Sequence, residues 1–259
     1  MSDIDIAYMN THYTFVTWKW KQDGFRCRYI ADHVNVMNDM INRTVQAPHR
    51  VICVTDDPDN VQVETFPLWE DHSKLRNVSG HHLPSCYRRL KLFDQKTQES
   101  LGIAPGGRIV SIDLDTVILE DMKPLLTRQQ MFVGWSVPGT RHNKVFNGSM
   151  WMFTAGDELQ WMWDTFKPDA SPQRALQAGF YGSDQGYISH QLVYSQLCGS
   201  WTAQDGVLSY TRDIRAARIL PKHARVVMFH GKRKPWDPNV KRESKWIDRY
   251  WKVNNAASV

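Results

Sequence analysis

Residues 109–119 read Ile109-Val110-Ser111-Ile112-Asp113-Leu114-Asp115-Thr116-Val117-Ile118-Leu119, an apolar run that two carboxylates interrupt. A run of this composition predicts a buried strand. Side chains two residues apart on an extended backbone point to the same side, so Asp113 and Asp115 can meet one cation. Hard oxygen ligands of this kind suit Mg2+ or Mn2+, which often hold substrate phosphates as well. The alternative is a strand that ends at Asp113, with the acids capping the next element.

The sequence before this run predicts an α/β fold. Apolar strands are expected over Tyr13–Thr17 and Arg50–Val54, with a helix between them over Tyr29–Arg43. The helix has an apolar stripe at helical spacing, formed by Ile30, Val34, Met37 and Ile41. This strand–helix–strand order predicts a mainly parallel sheet flanked by helices, with functional loops at the carboxyl ends of the strands.

Further elements extend the pattern to the end of the chain. A helix is predicted over Cys86–Glu99, and strands over Gln130–Trp135, Gly148–Thr154 and Arg225–Phe229. No internal repeat or low-complexity linker divides the sequence. We therefore expect one domain over residues 1–259, with a core of residues 1–205 and a basic C-terminal extension of residues 206–259.

The composition describes a globular protein with a cytoplasmic character. Hydrophobic residues make up 42% of the chain, which is ample for a packed core. The N-terminus has neither the basic region nor the apolar run of a secretory signal, and no apolar stretch is long enough for a membrane span. The four cysteines are scattered without a Cys-x-x-Cys pair, which favours reduced thiols in a cytoplasm.

The positive charge of the chain is concentrated near its C-terminus. The formal net charge is +5, but Arg212–Lys252 alone contains thirteen Lys or Arg residues and four Asp or Glu residues. A basic segment in a chain with an acidic metal site indicates an anionic ligand, either a diphosphate or a polyanion. A solvated charged surface is the alternative.

The late segment His230-Gly231-Lys232-Arg233-Lys234-Pro235-Trp236 joins these two features. A predicted strand delivers an imidazole, and a glycine and a lysine follow at once. His230 is a candidate third metal ligand, and Gly231 lets the backbone approach phosphate oxygens. Lys234 then supplies a positive charge to a diphosphate. A basic surface turn would explain the charges, but not the combination of His, Gly, Lys, Pro and Trp.

The pair of motifs D-x-D and H-G-x-x-K-P-W resembles the family 8 glycosyltransferases, the superfamily of glycogenin and the bacterial lipopolysaccharide galactosyltransferases. The resemblance implies a GT-A (Rossmann-like) fold, a nucleoside-diphosphate sugar as donor, and Mn2+ or Mg2+ as cofactor. It places the metal on Asp113, Asp115 and His230, and the diphosphate on Lys234. The spacing from His to Gly is shorter here than in many members of the family.

Shorter matches follow in the same order over most of the chain and resemble a phage and bacterial branch of this superfamily. They are Val16-Thr17-Trp18-Lys19-Trp20, Pro48–Pro58, Cys86–Phe93, Phe146-Asn147-Gly148-Ser149 and Gly182-Ser183-Asp184-Gln185. The resemblance implies that Thr17 and Trp18 cradle the nucleoside and that one basic residue among Arg88, Arg89 and Lys91 approaches the donor, for which we select Arg89.

The same resemblance assigns the sugar side of the site. Asn147 is expected to contact the sugar, and Asp184 and Gln185 to lie beneath the anomeric carbon. There they either stabilise the oxocarbenium-like centre or attack it, with retention of anomeric configuration. Residues 136–144 and 169–181 are expected to form an acceptor lid or surface loops, and His81, His82 and His142 to be loop or surface residues.

The sequence therefore predicts a metal-dependent, retaining glycosyltransferase that uses a UDP-sugar. Two acceptors remain open. One is a hydroxylated pyrimidine in phage DNA, within the host cytoplasm, because clustered Lys and Arg suit phosphate contacts. The other is a glycan or a lipopolysaccharide, with no membrane span in the enzyme itself.

Other classes of protein explain less of the sequence. A haloacid-dehalogenase-type phosphatase would use Asp113 as its nucleophile, but such a strand normally lies near the start of the chain and the late motif would have no role. A non-catalytic nucleic-acid-binding module would use the basic segment and leave D-x-D unexplained. A Rossmann oxidoreductase is disfavoured because no G-x-G-x-x-G follows the first strand.

Overall fold

A computed structural model describes residues 2–21, 29–76, 78, 86–136 and 146–252 of the chain. The strands are β1 Tyr13–Lys19, β2 His49–Thr55, β3 Glu64–Pro67, β4 Arg108–Ile112, β5 Thr116–Ile118, β6 Phe132–Ser136, β7 Phe146–Thr154, β8 Cys198–Trp201, β9 Val207–Ser209 and β10 Val226–Met228. The helices are α1 Asp3–Asn10, α2 Ala31–Thr44, α3 Gln95–Ser100, α4 Lys123–Leu126, α5 Gln160–Asp164, α6 Ser171–Gln177, α7 Asp184–Leu192, α8 Pro238–Glu243 and α9 Ile247–Tyr250. Within these ranges no helix combines the length and the apolar character needed to cross a membrane.

The main sheet has seven strands in the order β3-β2-β1-β4-β7-β6-β8. Its strands run parallel to one another except β7, which is antiparallel to β4 and β6. Every residue of β1 is buried, as expected for a strand covered on both faces. This architecture confirms the predicted mixed, mainly parallel α/β sheet. It also brings the carboxyl ends of β1 and β4 and the amino end of β7 to one edge.

The run from 109 to 119 is not one strand. Strand β4 ends at Ile112 and β5 begins at Thr116, so Asp113 and Asp115 lie in a turn rather than on an extended backbone. The expectation that both acids project from one side of a strand is therefore wrong. The physical reason is that β4 pairs within the main sheet, whereas β5 leaves it to pair with β10 in a three-stranded sheet of order β5-β10-β9. Leu114 is fully buried and anchors this turn.

The predicted helix over Cys86–Glu99 is also interrupted. A 3-10 helix covers Tyr87–Phe93, and α3 begins only at Gln95. The break falls at Asp94, whose carboxylate accepts a hydrogen bond from the backbone N–H of Thr97 at 3.0 Å and caps α3. The other predicted strands, and the helix now seen as α2, are present with ends shifted by two residues or fewer.

Residues from 206 onward complete the core instead of extending from it. Strands β9 and β10 pair in the smaller sheet, and Val226, Val227 and Met228 are fully buried there. The ring of Trp236 stacks on that of His33 in α2, with centroids 3.8 Å apart and planes 19° apart. The segment predicted as a basic C-terminal extension is therefore part of the core, because β5 pairs with β10 and β10 pairs with β9.

The stack between His33 and Trp236 gives the fold a testable pH dependence. His33 is buried, its Nδ1 accepts the N–H of Ile30 at 3.3 Å, and burial lowers its pKa from 6.5 to about 4. The neutral ring therefore contributes stability that is fully present above pH 6.5 and is lost as the pH falls through 4. We expect His33 to account for about 2–3 kcal/mol of the loss in the free energy of unfolding between pH 7 and pH 4.

The matched variant for this prediction is His33→Phe, which keeps a stacking ring and cannot be protonated. Chemical denaturation of both proteins at several pH values gives the difference due to His33 alone, because the other titrating groups are shared. Parallel stability curves for the two proteins between pH 7 and pH 4 would contradict the prediction.

Candidate active site

The turn between β4 and β5 lies where the two sheets meet. The backbone N–H of Asp113 donates to the carbonyl of Ser149 in β7 at 2.8 Å. The carbonyl of Asp115 accepts the N–H of Phe229, just after β10, at 3.0 Å. The two acids are thus fixed at the carboxyl edge of the main sheet, which is where open α/β sheets bind their ligands.

Arg89 connects the acids of this edge. Its Nε and Nη2 donate to Oδ2 of Asp184 at 2.9 and 2.6 Å, and its Nη1 donates to Oδ1 of Asp113 at 2.9 Å. Nη1 also donates to the carbonyl of Gly148 at 2.9 Å. Burial disfavours the charge on Arg89, but Asp184 and then Asp113 outweigh that effect and raise its pKa. The Arg89 network therefore fixes β7, α7 and the Asp113 turn to one another.

This network also explains a glycine. A Cβ added to Gly148 would lie 2.4 Å from Nη2 of Arg89, closer than side-chain atoms approach in proteins. Glycine at this position lets the guanidinium reach the backbone of β7.

Asp113 is held in a strongly acidic environment. Burial raises its pKa, Arg89 lowers it, and the neighbouring Asp115 raises it again, which leaves it at about 6. Asp184 acts on it in the same direction as Asp115. Asp115 and Asp184 repel the negative charge of Asp113 when no cation is bound. A cation bound at this edge would be stabilised by these carboxylates.

Asp115 and Lys234 form a second ion pair at the same edge. Asp115 is buried, and the ammonium of Lys234 donates to its Oδ2. Lys234 immediately precedes Pro235 and Trp236, and Trp236 is packed against α2. The late motif therefore brings Lys234 to the D-x-D turn. The sequence predicts that this lysine and the two acids bind the same ligand.

His230 lies beside the turn but bonds to another residue. Its Nε2 is 2.7 Å from Oγ of Ser209, the last residue of β9. Burial and then the charge of Arg212 lower its pKa, so the ring is neutral at pH 7, the form that binds metal ions. Gly231 follows at φ +89°, a left-handed backbone that favours glycine.

The predicted metal ligands do not form a closed ligand group. In the described ranges no three His, Cys, Asp or Glu side chains lie close enough together to hold an ion. Asp113 bonds to Arg89, Asp115 to Lys234 and His230 to Ser209. The donor types nevertheless fit a divalent cation, since two carboxylates and a neutral imidazole suit Mn2+.

The Asp184–Gln185 pair is rigidly positioned. Asp184 is 3% exposed, and its Oδ2 receives both hydrogen bonds from Arg89 that were described above. Gln185 is partly exposed, and its Oε1 accepts the backbone N–H of Gly148 at 2.9 Å. Asn147 accepts the N–H of Ser149 through its Oδ1, also at 2.9 Å. Gln185 and Asn147 therefore lie around Gly148.

The two residues predicted to cradle the nucleoside both bond within the fold. Thr17 is buried and donates to the carbonyl of Ile52 at 2.9 Å. Trp18 is buried on the other face of β1 and donates to Oγ of Ser111 at 2.9 Å. Both side chains are packed inside the fold, because β1 is an interior strand between β2 and β4 and both of its faces are covered.

An open cavity lies next to this part of β1 instead. It has a volume of about 340 Å3 and is lined by Lys19, Ile30, Ala31, Asp32, Asp57, Asp59 and Asn60. Lys19 is almost fully buried, and its ammonium pairs with Asp57. Sequence reasoning missed Lys19, although it shares a strand face with Thr17 and could have been found from the two-residue period.

Other sequence predictions fall away from the Asp113 turn. Arg88 donates to the carbonyl of Trp69 at 2.8 Å, and Lys91 pairs with Asp71, so Arg89 alone of the three basic residues bonds to the acids. Part of the predicted loop 169–181 is helix α6. His81, His82, His142 and most of the loop 136–144 lie outside the described residues.

Comparison with solved structures extends these observations. No protein-family model matches the sequence, and no curated protein matches it. The galactosyltransferase LgtC in complex with donor and acceptor sugar analogues aligns with a TM-score of 0.56 and 12% identity, over 95% of this chain and 98% of LgtC. A second LgtC structure, that of an active-site mutant, aligns with a TM-score of 0.58 and 11% identity over the same shares of the two chains.

A third solved structure, the bifunctional glycosyltransferase WbbM in its apo form, aligns with a TM-score of 0.55 and 13% identity. That alignment covers 95% of this chain and 50% of WbbM. Sequence identities this low show a shared fold and no shared function. The chain has the GT-A fold and resembles the family 8 glycosyltransferases in structure.

Proposed function

We propose that this protein is a metal-dependent glycosyltransferase that moves a sugar from a nucleoside-diphosphate sugar, a UDP-sugar, to an acceptor hydroxyl. The observation that carries the proposal is the pairing of Asp113 with Arg89 and of Asp115 with Lys234 at one edge of a GT-A sheet. Alternating carboxylates and cations of this kind suit a ligand that brings both a divalent ion and a diphosphate.

The metal is Mn2+ or Mg2+, and its ligands are Asp113, Asp115 and His230. When bound, the ion supplies positive charge to the departing diphosphate. The fit rests on the donor types and on the burial and neighbouring acids that together raise the pKa of Asp113. Lys234 and Ser209 are the partners that Asp115 and His230 give up on loading.

Lys234 has a direct role in this scheme. Before the donor binds, the ammonium of Lys234 lies against Asp115. When Asp115 holds the metal instead, the ammonium would be free to pair with the diphosphate. Gly231, in its left-handed conformation, leaves the adjacent backbone accessible to phosphate oxygens. The cavity beside Lys19 is placed to receive the nucleoside.

The sugar side is assigned by the Arg89 network. Gln185 and Asn147 contact the sugar, with the Gln185 amide stabilising charge that develops at the anomeric carbon. Asp184 acts as a positioning residue and not as a nucleophile, because its carboxylate is buried and bonded to Arg89. We therefore propose retention by attack of the acceptor on the same face that the diphosphate leaves.

The acceptor that we propose is a hydroxylated pyrimidine in DNA. Cations of the C-terminal segment, including the exposed Arg215, Arg218 and Lys222, support a polyanionic acceptor over a neutral glycan. A phosphatase that uses Asp113 as its nucleophile is disfavoured, since Lys234, which is bonded to Asp115, and the rest of the late motif would have no role in it.

Calorimetric titration tests the donor proposal. The protein is titrated with a panel of nucleoside-diphosphate sugars in Mn2+, in Mg2+ and in chelator. We expect one donor to bind with the metal present, to bind at least about tenfold more weakly in chelator, and to be hydrolysed slowly without an acceptor. Transfer of labelled sugar to hydroxymethylated duplex DNA and to glycans then identifies the acceptor. Equal affinity for the donor with and without metal would contradict metal dependence.

A further inference from the structure

Residues 210–225, here called the basic loop, connect β9 to β10. These strands are parallel, so the loop leaves the edge where Ser209 contacts His230 and returns to the opposite end of β10. It begins with a wide helical turn over Tyr210–Ile214, in which the N–H of Arg215 donates to the carbonyl of Tyr210 at 2.8 Å. The basic loop is therefore anchored beside the candidate active site.

Three cations of the basic loop lack acidic partners in the part of the chain that the structure describes. Arg215, Arg218 and Lys222 are exposed, and no acid in the described ranges pairs with them. The sole acid of the loop, Asp213, accepts the backbone N–H of Ser209 at 2.7 Å. An accumulation of like charge on a loop that starts beside the candidate active site attracts a polyanionic substrate.

Two cations elsewhere in the C-terminal segment do pair with acids. Arg233 lies 3.6 Å from Glu243, and Lys241 lies 3.0 Å from Asp248.

The apolar residues of the basic loop argue against a lipid surface as the partner. Ile214 is fully buried, and Leu220 packs against the core. Ile219 alone is a large exposed apolar side chain in the loop, at 70% exposure. A segment that lies on a membrane needs a continuous apolar face, which this loop uses for its own packing.

We infer that the basic loop binds the phosphodiester backbone of a nucleic-acid acceptor, with Arg215, Arg218 and Lys222 each contacting a phosphate. The inference rests on the proposed function, since it names the surface that holds the acceptor while a hydroxyl enters the site. Such contacts release counterions, so they leave a measurable signature in the salt dependence of binding.

The test compares two triple variants that remove the same charge. One replaces the loop cations (Arg215→Gln, Arg218→Gln, Lys222→Gln), and the other replaces exposed cations elsewhere (Lys74→Gln, Lys96→Gln, Lys167→Gln). Anisotropy of a labelled DNA duplex is measured between about 50 and 200 mM salt. We expect the loop variant to reduce the slope of log K against log salt by about 3, and the control variant to leave it unchanged.

Arg218→Gly keeps the test valid if the triple variant folds poorly. Arg218 has φ +55°, a left-handed conformation that glycine adopts more readily, so this change removes one charge and no required contact. It should reduce the slope by about 1 with the same melting temperature as the wild type. An unchanged slope in a folded Arg218→Gly protein and in the triple variant would overturn the inference.

Donor binding separates this inference from the proposed function. Wild-type protein that binds its donor with metal but does not bind DNA would overturn the role of the loop and leave the transferase intact. Binding to phosphatidylserine vesicles that is lost in Ile219→Ser, without DNA binding, would overturn it as well. DNA binding that depends on the loop, in a protein that binds no nucleotide sugar, would support the loop and overturn the transferase.

Discussion

Replacement of Arg89 by methionine should lower the free energy of unfolding by about 3–5 kcal/mol. The change would leave Asp184, which is 3% exposed, and Asp113 without their shared counterion, and the carbonyl of Gly148 without its donor. Removing one partner of a buried ion pair leaves an uncompensated charge in a medium of low dielectric constant, which costs more than the pair contributes. Urea denaturation at pH 7 without added metal measures the effect.

The neighbouring arginine provides the control. Arg88 is as deeply buried as Arg89, but its guanidinium bonds to the carbonyl of Trp69 and to no acid in the described ranges. Arg88→Met should therefore cost about 1 kcal/mol. Equal losses for the two variants would mean that burial of the side chain, and not the acid network, accounts for the effect.

A double variant isolates the interaction itself. Asp184→Asn removes the charge that Arg89 compensates, so adding it to Arg89→Met should restore part of the lost stability. The coupling energy from this double-mutant cycle should be about 2 kcal/mol or more, because Arg89→Met leaves the buried charge of Asp184 unpaired and Asp184→Asn leaves Arg89 with Asp113 as its remaining acid partner. Strict additivity would show that the two residues stabilise the fold independently.

The Arg89 network also shows where sequence reasoning reaches its limit. The two acids of D-x-D could be recognised as candidate site residues from residues 109–119 alone, because two carboxylates inside an apolar run are unusual. Arg89 joins residues that are 24, 59 and 95 positions away, so no local pattern reports its partners. The sequence predicted that Arg89 approaches the donor, whereas the structure shows it bonded to the acids of the candidate site.

The fold was more accessible than the site for the same reason. Strand β1 and helix α2 have periodic apolar residues whose burial depends on nearby sequence, and both were predicted to within two residues. The division between β4 and β5 was not, because it depends on β10, more than one hundred residues later, as the partner of β5. Likewise, the hydrogen bond between Ser209 and His230 follows from the pairing of β9 with β10, and neither residue signals it alone.

Replacement of Asp115 by asparagine should reduce the rate of sugar transfer about 100- to 1,000-fold and weaken Mn2+ binding at least about tenfold. The fold should persist, because the backbone carbonyl of Asp115 still accepts the N–H of Phe229. Asp213→Asn is the matched control, since that carboxylate accepts the backbone N–H of Ser209 and is outside the proposed ligand set. Turnover that is unaffected by Asp115→Asn would contradict the assignment.

The role of Lys234 is decided by combining it with Asp115. If Lys234 only neutralises Asp115, then Lys234→Gln should harm the wild type but add nothing to the Asp115→Asn variant. If Lys234 transfers to the diphosphate, as we propose, the two losses act on different atoms of the donor complex and should multiply. With about 100-fold for each single variant, the double variant should then lose about 10,000-fold in kcat/KM. The pair seen in this structure is, on that outcome, a resting arrangement from which both side chains move to the donor.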